Sequence, residues 1–512
     1  MLVPKDFDLP EKFMEFRPGQ LEIATKIAAS TKYGYLLDAP TGVGKSLIAA
    51  TVQKLLGKQV VYVCTTKQLQ DQLLHDFPYA RTLKGRNNYP CAKYPKMFPR
   101  ISAEECTKSP AHPCEEEGQC AYIQAKRAAL GSPLAVLNTS YFLTEANFVE
   151  SFSNLDFLVI DEFDTIEDQL MGFIEVLITQ RQLNQLELEP PKFKTKFESW
   201  VDWAKGALGV LEPRLISVRR ELESDWATTD FSLMKEEKNL ARLVGKLRFF
   251  IKEVDKNWIW YPGEDSWSFK PVWIAKYSNN SLWKHAKHVL GMSATILDKF
   301  QMCRNVGLDF ENTNYKQLGS PFPKENRPVY FEPCANVINK EMENALPILA
   351  EAVKRILVKH SDEKILIHTV SYRITKYLRE HLNSDRVMIH DMKNRAQVLE
   401  NFKSSMRPMV LISPSMDRGV DLPDEECRVV VIAKVPYPDL GDPQISKRVH
   451  ASRDGSHWYA HKAVSKIIQM SGRAVRSESD HAVTYILDEQ FKRIYTDNRG
   501  MFPLWFREAL VM

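Results

Sequence analysis

The sequence predicts an α/β fold with two parallel sheets and a helical insert, and three observations carry this. Short β-branched runs alternate with helical stretches up to about residue 160. A Gly-rich loop joins the first strand to the first helix, and the same alternation returns after Tyr315. Such alternation indicates parallel strands covered by helices on both faces. In order, Gly34–Asp38 reads as an apolar strand, Ser46–Leu56 as a helix, and Val60–Cys64 as a buried strand. Leu134–Leu137 and Phe157–Ile160 are two more strands. From Ile166 to Val254 the spacing becomes that of long amphipathic helices, such as Leu233–Glu253. The second region contributes the strands Ile365–His368, Met409–Ile412, Val429–Ile432 and Val483–Leu487.

At about 150 residues per domain, 512 residues predict roughly three domains. With 44% hydrophobic and 26% charged side chains, 21 Gly and 28 Pro, disordered and collagen-like chains are excluded. No apolar run approaches the roughly 18 residues that span a bilayer. The first residues also lack the basic-then-apolar pattern of a signal peptide. A soluble cytoplasmic protein without membrane contact is expected. The excess of 69 basic over 65 acidic residues is too small to indicate a polyanion partner by itself.

The cysteines are more informative. Cys91, Cys106, Cys114 and Cys120 fall within 30 residues, separated by gaps of fourteen, seven and five. That spacing suits no common zinc ribbon, yet four thiolates can hold either Zn²⁺ or a cubane cluster. Cys64, Cys303, Cys334 and Cys427 are isolated and read as buried small hydrophobes. Eight of the ten tryptophans lie between Trp200 and Trp283. They read as core packing around a hairpin at Pro262-Gly263, with a base-stacking surface as the alternative.

The chemistry is concentrated in three segments. Ala39-Pro40-Thr41-Gly42-Val43-Gly44-Lys45-Ser46 stands between a strand and a helix, where backbone N–H groups can cradle phosphates. Lys45 is placed to reach the β and γ oxygens and Ser46 to hold Mg²⁺; Ala39 stands where the strict pattern has glycine. Phe157–Ile160 delivers Asp161 and Glu162 to the carboxyl end of a strand. Asp161 suits Mg²⁺ through water, and Glu162 suits polarising an attacking water. In the second region, Gln469-Met-Ser-Gly-Arg473-Ala-Val-Arg476 sets two arginines three apart, on one face if helical. Alone this is a surface basic helix. Paired with a distant phosphate loop, Arg473 and Arg476 read as arginine fingers that meet transition-state charge. The set implies ATP bound in a cleft between two domains, whose closure is coupled to hydrolysis.

These residues, in this order, resemble the iron–sulfur superfamily 2 DNA helicases, the XPD/DinG group. Phe16-Arg-Pro-Gly-Gln20 resembles the family's opening glutamine motif, and Ala39 to Ser46 motif I. Thr65 to Gln72 resembles motif Ia, and Leu83 to Cys91 the start of the family's cluster domain. Gly291 to Leu297 is similar to motif III, and Ser320-Pro-Phe-Pro323 to a marker that follows it. His368 to Tyr372 is similar to motif IV, Ser413 to Leu422 to motif V, and Gln469 to Ser477 to motif VI.

The resemblance implies two RecA-like motor domains, with a 4Fe-4S cluster domain and a helical Arch domain inserted in the first. The implied divisions are motor domain 1 at 1–83, 131–165 and 255–314, the cluster domain at 84–130, the Arch at 166–254, and motor domain 2 at 315–512. It implies that Gln20, Gly419 and Asp421 join the phosphate loop in binding nucleotide, and that Gln469 joins the arginines in catalysis. It also moves the four cysteines toward a 4Fe-4S cluster, serving as a rigid wedge beside the DNA channel.

The implied activity is ATP-dependent 5′→3′ translocation on single-stranded DNA with separation of duplex strands, in repair or replication. The implied cofactors are ATP, Mg²⁺ and the cluster. The implied partners are single-stranded and forked DNA, with single-strand-binding or repair proteins, for a monomer. Three departures stand out. The family's Asp-Glu-Ala-His is Asp161-Glu-Phe-Asp164 here, the Arch is short, and the chain ends soon after motif VI. An archaeal, bacterial or viral enzyme fits these better than a eukaryotic transcription-repair subunit. The rival readings are a translocase or remodelling ATPase that never separates strands, and a non-enzymatic nucleic-acid-binding protein.

Overall fold

The computed structural model describes residues 2–92, 101–106, 114, 116–224, 231–416, 422–451, 453–472, 475, 477 and 479–512. Among the described residues before 320 the strands are β1 (Gly34–Asp38), β2 (Val60–Cys64), β3 (Arg81–Leu83), β4 (Leu134–Asn138), β5 (Phe157–Asp161), β6 (Val176–Thr179), β7 (Trp258–Pro262), β8 (Ser266–Pro271), β9 (Val289–Ser293) and β10 (Thr313–Gln317). Seven of them form one sheet in the order β10-β1-β9-β5-β2-β4-β3, and every pairing is parallel. β1 and β2 are buried along their whole lengths. That is why they read as unbroken apolar runs rather than alternating ones.

The order matters for function. β9 lies between β1 and β5, with Ser293 opposite Asp38 and Met292 opposite Asp161. Three strand ends therefore open side by side at the carboxyl edge of the sheet, where α/β proteins bind their ligands. β10 runs beside β1 from Gly34↔Thr313 to Asp38↔Gln317. The domain division expected between 314 and 315 therefore cuts through a strand. Thr-Asn-Tyr-Lys-Gln is an edge strand with polar, partly exposed residues, so it lacks the apolar signature that marks its neighbours.

β6, β8 and β7 form a separate antiparallel sheet of three strands. β7 and β8 are the hairpin expected at Pro262-Gly263. They stand with the helical insert rather than in the motor sheet to which 255–314 was assigned. The seven helices that the argument uses are α1 (Lys45–Leu56), α2 (Ile166–Ile174), α3 (Phe197–Ser224), α4 (Phe231–Glu253), α5 (Pro443–Ala451), α6 (Arg453–Ser471) and α7 (Leu504–Ala509). α3 and α4 pack together and are laced by Arg214–Glu236, Arg219–Glu237 and Arg248–Glu212 ion pairs. Their apolar faces close over the small sheet. Trp200 and Trp267 are fully buried with ring centroids 4.7 Å apart, and Phe250 and Phe269 meet at 4.8 Å. The core reading of the tryptophans holds for these and for Trp258 and Trp283; Trp226 lies outside the described residues.

The remaining strands are β11 (Val329–Ala335), β12 (Ile365–His368), β13 (Val387–Ile389), β14 (Val410–Ser413), β15 (Val429–Ile432), β16 (Val483–Asp488) and β17 (Leu510–Val511). They make a second seven-stranded parallel sheet in the order β13-β14-β12-β15-β16-β11-β17. The two sheets are the two RecA-like domains. Helix α6 of the second lies along the first for most of its length. Asp454 pairs with Arg304, His457 Nε2 is 3.0 Å from Asp298, and His461 Nε2 is 2.9 Å from the Ile296 carbonyl. Among the described residues no helix is long and apolar enough to cross a membrane.

Candidate active site

The phosphate loop leaves the end of β1 and turns into α1. Gly42 and Gly44 take φ of +82° and +79°, the left-handed region that side chains avoid. Space enforces the same choice. A Cβ on Gly42 would stand 2.0 Å from the Phe322 ring, and one on Gly44 2.5 Å from Gln20 Nε2. Phe322 comes from Ser320-Pro-Phe-Pro323, so that segment seals one side of the loop. Gln20 is buried behind the loop: its Nε2 donates to the Val43 carbonyl at 2.6 Å and its Oε1 accepts from Arg17 N at 2.7 Å. Both ends of its amide thus brace the loop. Ala39 N donates to the Ser293 carbonyl at 2.7 Å, tying the loop to β9, and Lys45 Nζ reaches back to the Ala39 carbonyl at 3.3 Å. Ser46 stands half-buried in the first turn of α1.

The carboxylates at the end of β5 are held from below. Asp161 Oδ2 accepts from Tyr62 OH at 2.8 Å and Oδ1 from Glu162 N at 2.9 Å. Glu162 has φ +51° and its Oε2 accepts the Thr65 hydroxyl. Burial, with the Asp161 charge added to it, pushes the Tyr62 phenol well above its ordinary value, so it stays a donor. Asp38, at the end of β1, is almost wholly buried. It accepts from Leu297 N at 2.9 Å and from Tyr315 OH and Gln317 Nε2 at 3.0 Å each. Burial raises its carboxyl to about 6 in spite of these donors.

The cleft above these strand ends is closed by the second domain. Thr41, Lys45, Asp161, Glu162, Asp164, Ser293, Gln469, Gly472 and Trp505 line it together. Asp164 joins the two halves: Oδ1 accepts from Ser293 Oγ at 2.5 Å, and Oδ2 from Gln469 Nε2 at 2.7 Å. Gln469 Nε2 also reaches Thr295 Oγ1 at 2.9 Å. An aspartate at the family's histidine position therefore still has donors to hold, because both neighbours offer a hydrogen. Of the expected nucleotide and catalytic residues, Lys45, Asp161, Glu162, Gln469 and the loop come together. Arg473, Arg476, Gly419 and Asp421 lie outside the described residues.

Sequence reasoning missed Trp505, Tyr62 and Asp38. Trp505 on α7 is stacked 5.5 Å from the Arg327 guanidinium, which also donates to the Trp505 carbonyl at 2.5 Å. No local pattern announces it, because its role depends on a chain end folding back to a distant cleft. Asp38 did carry a signal: a carboxylate closing a wholly buried strand just before the loop.

The second candidate site is the cysteine segment. Cys91, Cys106, Cys114 and Cys120 line one cavity of about 130 Å³, with Arg86 and Tyr122 beside them. The segment's ends are tied by Cys91 N to the Ile101 carbonyl at 3.0 Å and Ala103 N to the Tyr89 carbonyl at 2.8 Å. Among the described residues, no three His, Cys, Asp or Glu side chains are grouped to hold a single metal ion. Four thiols around one shared cavity nonetheless suit a bound group that each touches at a different edge. Cys64, Cys303 and Cys427 are buried as expected, while Cys334 is partly exposed.

Residues 17–197 match the DEAD/DEAH box helicase family and residues 355–509 the helicase C-terminal domain family. The ATP-dependent DNA helicase YoaA of Haemophilus influenzae is 22% identical, over 94% of this chain and 92% of its own. A probable ATP-dependent helicase of Methanocaldococcus jannaschii is 21% identical, over 94% and 93%. Among solved structures, Xpd4 of S. tokodaii is similar in fold, with TM-score 0.63 and 16% identity over 96% of this chain and 99% of that one. A structure titled XPD helicase has TM-score 0.63 at 17% identity, over 97% and 98%.

Proposed function

Since the chain belongs to the XPD/DinG type of superfamily 2 helicases, we propose that it moves 5′→3′ along single-stranded DNA and separates duplex strands, driven by ATP, in repair or replication. The observation that carries this reading is the hydrogen bond from Gln469 of the second motor domain to Asp164 of the first, 2.7 Å long and beside Lys45, Asp161 and Glu162. A cleft whose lining comes from two domains links what happens to the nucleotide to how the domains sit.

In this reading the backbone of Ala39, Pro40, Thr41, Gly42, Val43 and Gly44 cradles the phosphates, and Lys45 Nζ turns from the Ala39 carbonyl to the β and γ oxygens. Ser46 and Asp161 are the residues that would hold Mg²⁺, which supplies charge neutralisation on those oxygens. Glu162 takes a proton from the attacking water on a carboxylate oxygen, held in place by Thr65. Arg473 and Arg476 meet the charge that develops on the transferred phosphoryl group. Gly419 and Asp421 complete the nucleotide contacts from the second domain. Cys91, Cys106, Cys114 and Cys120 would hold a 4Fe-4S cluster. Bound there, it would supply rigidity to a segment whose Pro- and charge-rich composition offers few apolar side chains for a core.

The test is unwinding of 5′-tailed against 3′-tailed duplexes with ATP. Separation of the 5′-tailed substrate alone is expected. Preference for the 3′ tail refutes the polarity. ATP turnover on single strands without separation of either substrate points to a translocase.

A further inference from the structure

Three residues after Asp164, in the first turn of α2, Glu167 is buried in a charge cluster that spans both motor domains. Its Oε1 lies 2.6 Å from Arg448 Nη1 on α5, and its Oε2 lies 2.8 Å from Lys462 Nζ on α6. Glu167 is 2% and Arg448 4% exposed. Arg448 is gripped further: Nε donates to the Val272 carbonyl at 2.6 Å. Its guanidinium is 4.7 Å from the ring centroids of both Trp273 and Trp458. Burial alone would raise the Glu167 carboxyl, but the Lys462 and Arg448 charges override it and hold it down at about 2.

The same helix α5 grips the small sheet at the foot of α3 and α4. Gln444 Nε2 donates to the Pro271 carbonyl at 2.7 Å, Tyr261 OH to Asp442 Oδ1 at 2.7 Å, and Lys447 Nζ to the Lys256 carbonyl at 2.7 Å. α5 is thus bonded on one side to the helix that follows Asp161–Asp164, and on the other to the β7–β8 hairpin. Two charges sealed from water, with a third that is only partly exposed, favour an all-or-none joint. Parting the pair strands an ion in a dry seam, and only full opening rehydrates it. An interface of this kind transmits a shift as a step rather than absorbing it by degrees.

We propose that Glu167 and Arg448 are positioning residues that carry the nucleotide state of Asp161–Asp164, through α5, to the three-stranded sheet under the inserted helices. The proposal rests on reading the cleft as a nucleotide motor. Its function is to make the insert, which contributes none of the described residues lining the cleft, respond to each cycle of hydrolysis.

The experiment is amide hydrogen exchange of the full chain with and without ADP–beryllium fluoride, in the wild type, Arg448→Met and Tyr261→Phe. Arg448→Met leaves Glu167 paired with Lys462, and Tyr261→Phe removes one partly exposed hydroxyl, so neither orphans a buried charge. In the wild type, nucleotide is expected to slow exchange at 39–46 and, by about tenfold, at 256–272. Arg448→Met should erase the second effect and keep the first. It should also lower unwinding at least about tenfold while DNA-free ATP turnover stays within about threefold. Tyr261→Phe should weaken the response at 256–272 in part. Full protection at 256–272 in Arg448→Met overturns the proposal, as does loss of both responses together with a lowered melting temperature, which marks a scaffold. No wild-type response at 39–46 would instead remove the motor reading itself.

Discussion

Asp164→Ala tests whether the two motor domains are coupled where the structure joins them. The substitution deletes a 93%-buried carboxylate that accepts from Ser293 Oγ at 2.5 Å and Gln469 Nε2 at 2.7 Å. Gln469 keeps its other acceptor, Thr295 Oγ1 at 2.9 Å, and Ser293 Oγ still accepts from Thr295 N at 3.1 Å. The net loss across the domain boundary is therefore one charge-assisted hydrogen bond, about 2 kcal/mol, which shifts the closed-to-open ratio about thirtyfold. The nucleotide-facing groups Lys45, Asp161 and Glu162 keep their own anchors, Ala39, Tyr62 and Thr65. Forked-duplex unwinding should fall by about thirtyfold while DNA-free phosphate release falls less than about threefold. Asp164→Asn, which keeps one acceptor oxygen, should lie between. If turnover and unwinding fall by the same factor, Asp164 belongs to the hydrolytic site. If neither changes, the Gln469 contact does not couple the domains.

Lys45→Ala should abolish ATP turnover and leave single-strand binding intact, measured by phosphate release and fluorescence anisotropy; residual turnover near the wild-type level sinks the motor assignment. Trp505→Ala removes one aromatic wall of the cleft, about 1 kcal/mol. It should weaken ATP binding about fivefold with little change for Trp505→Phe, and unaltered affinity in both refutes a nucleotide contact. Asp38 is held at about 6 against an ordinary 3.8, so between those values the folded chain keeps a proton that the unfolded chain has lost. Stability should therefore drop as pH rises through that window, by about 3 kcal/mol in all, and Asp38→Asn should flatten the melting-temperature profile from about pH 4 to 6. Anaerobically purified protein should be yellow-brown with about four irons per chain, and Cys114→Ser should lose that absorption and unwinding while keeping part of the turnover; a colourless protein with one zinc refutes the cluster.

What was legible in the sequence was whatever is local. A strand buried on both faces must be apolar throughout, so Gly34–Asp38, Val60–Cys64 and Ile365–His368 announced themselves. A loop that presents backbone N–H groups to phosphate needs left-handed glycines before a helix, and Gly42 and Gly44 are those. Chemistry that uses carboxylates at a strand end put Asp161 and Glu162 in view. What stayed hidden depends on which strands are neighbours. β9 is inserted between β1 and β5, and only that order sets Ser293 beside both Asp38 and Asp164. β10 is an edge strand whose polar residues give no apolar run, so the end of the first sheet was misplaced. The partners of Asp164 and Glu167 come from more than 120 residues away, at Ser293, Arg448, Lys462 and Gln469. Each of these residues alone is an ordinary polar residue of a helix or strand end. Lys462 and Gln469 gain meaning because they are seven apart on α6, two turns of one helix, and therefore meet the same segment of the first domain. That spacing was present in the sequence all along, but a helical face becomes informative only when something is known to lie against it. Here that something is the segment Asp161 to Glu167, which presents Asp164 to Gln469 and, three residues on, Glu167 to Lys462. Hydrolysis chemistry at one end of the segment and a buried ion cluster at the other are thereby fixed to the same helix of the second domain.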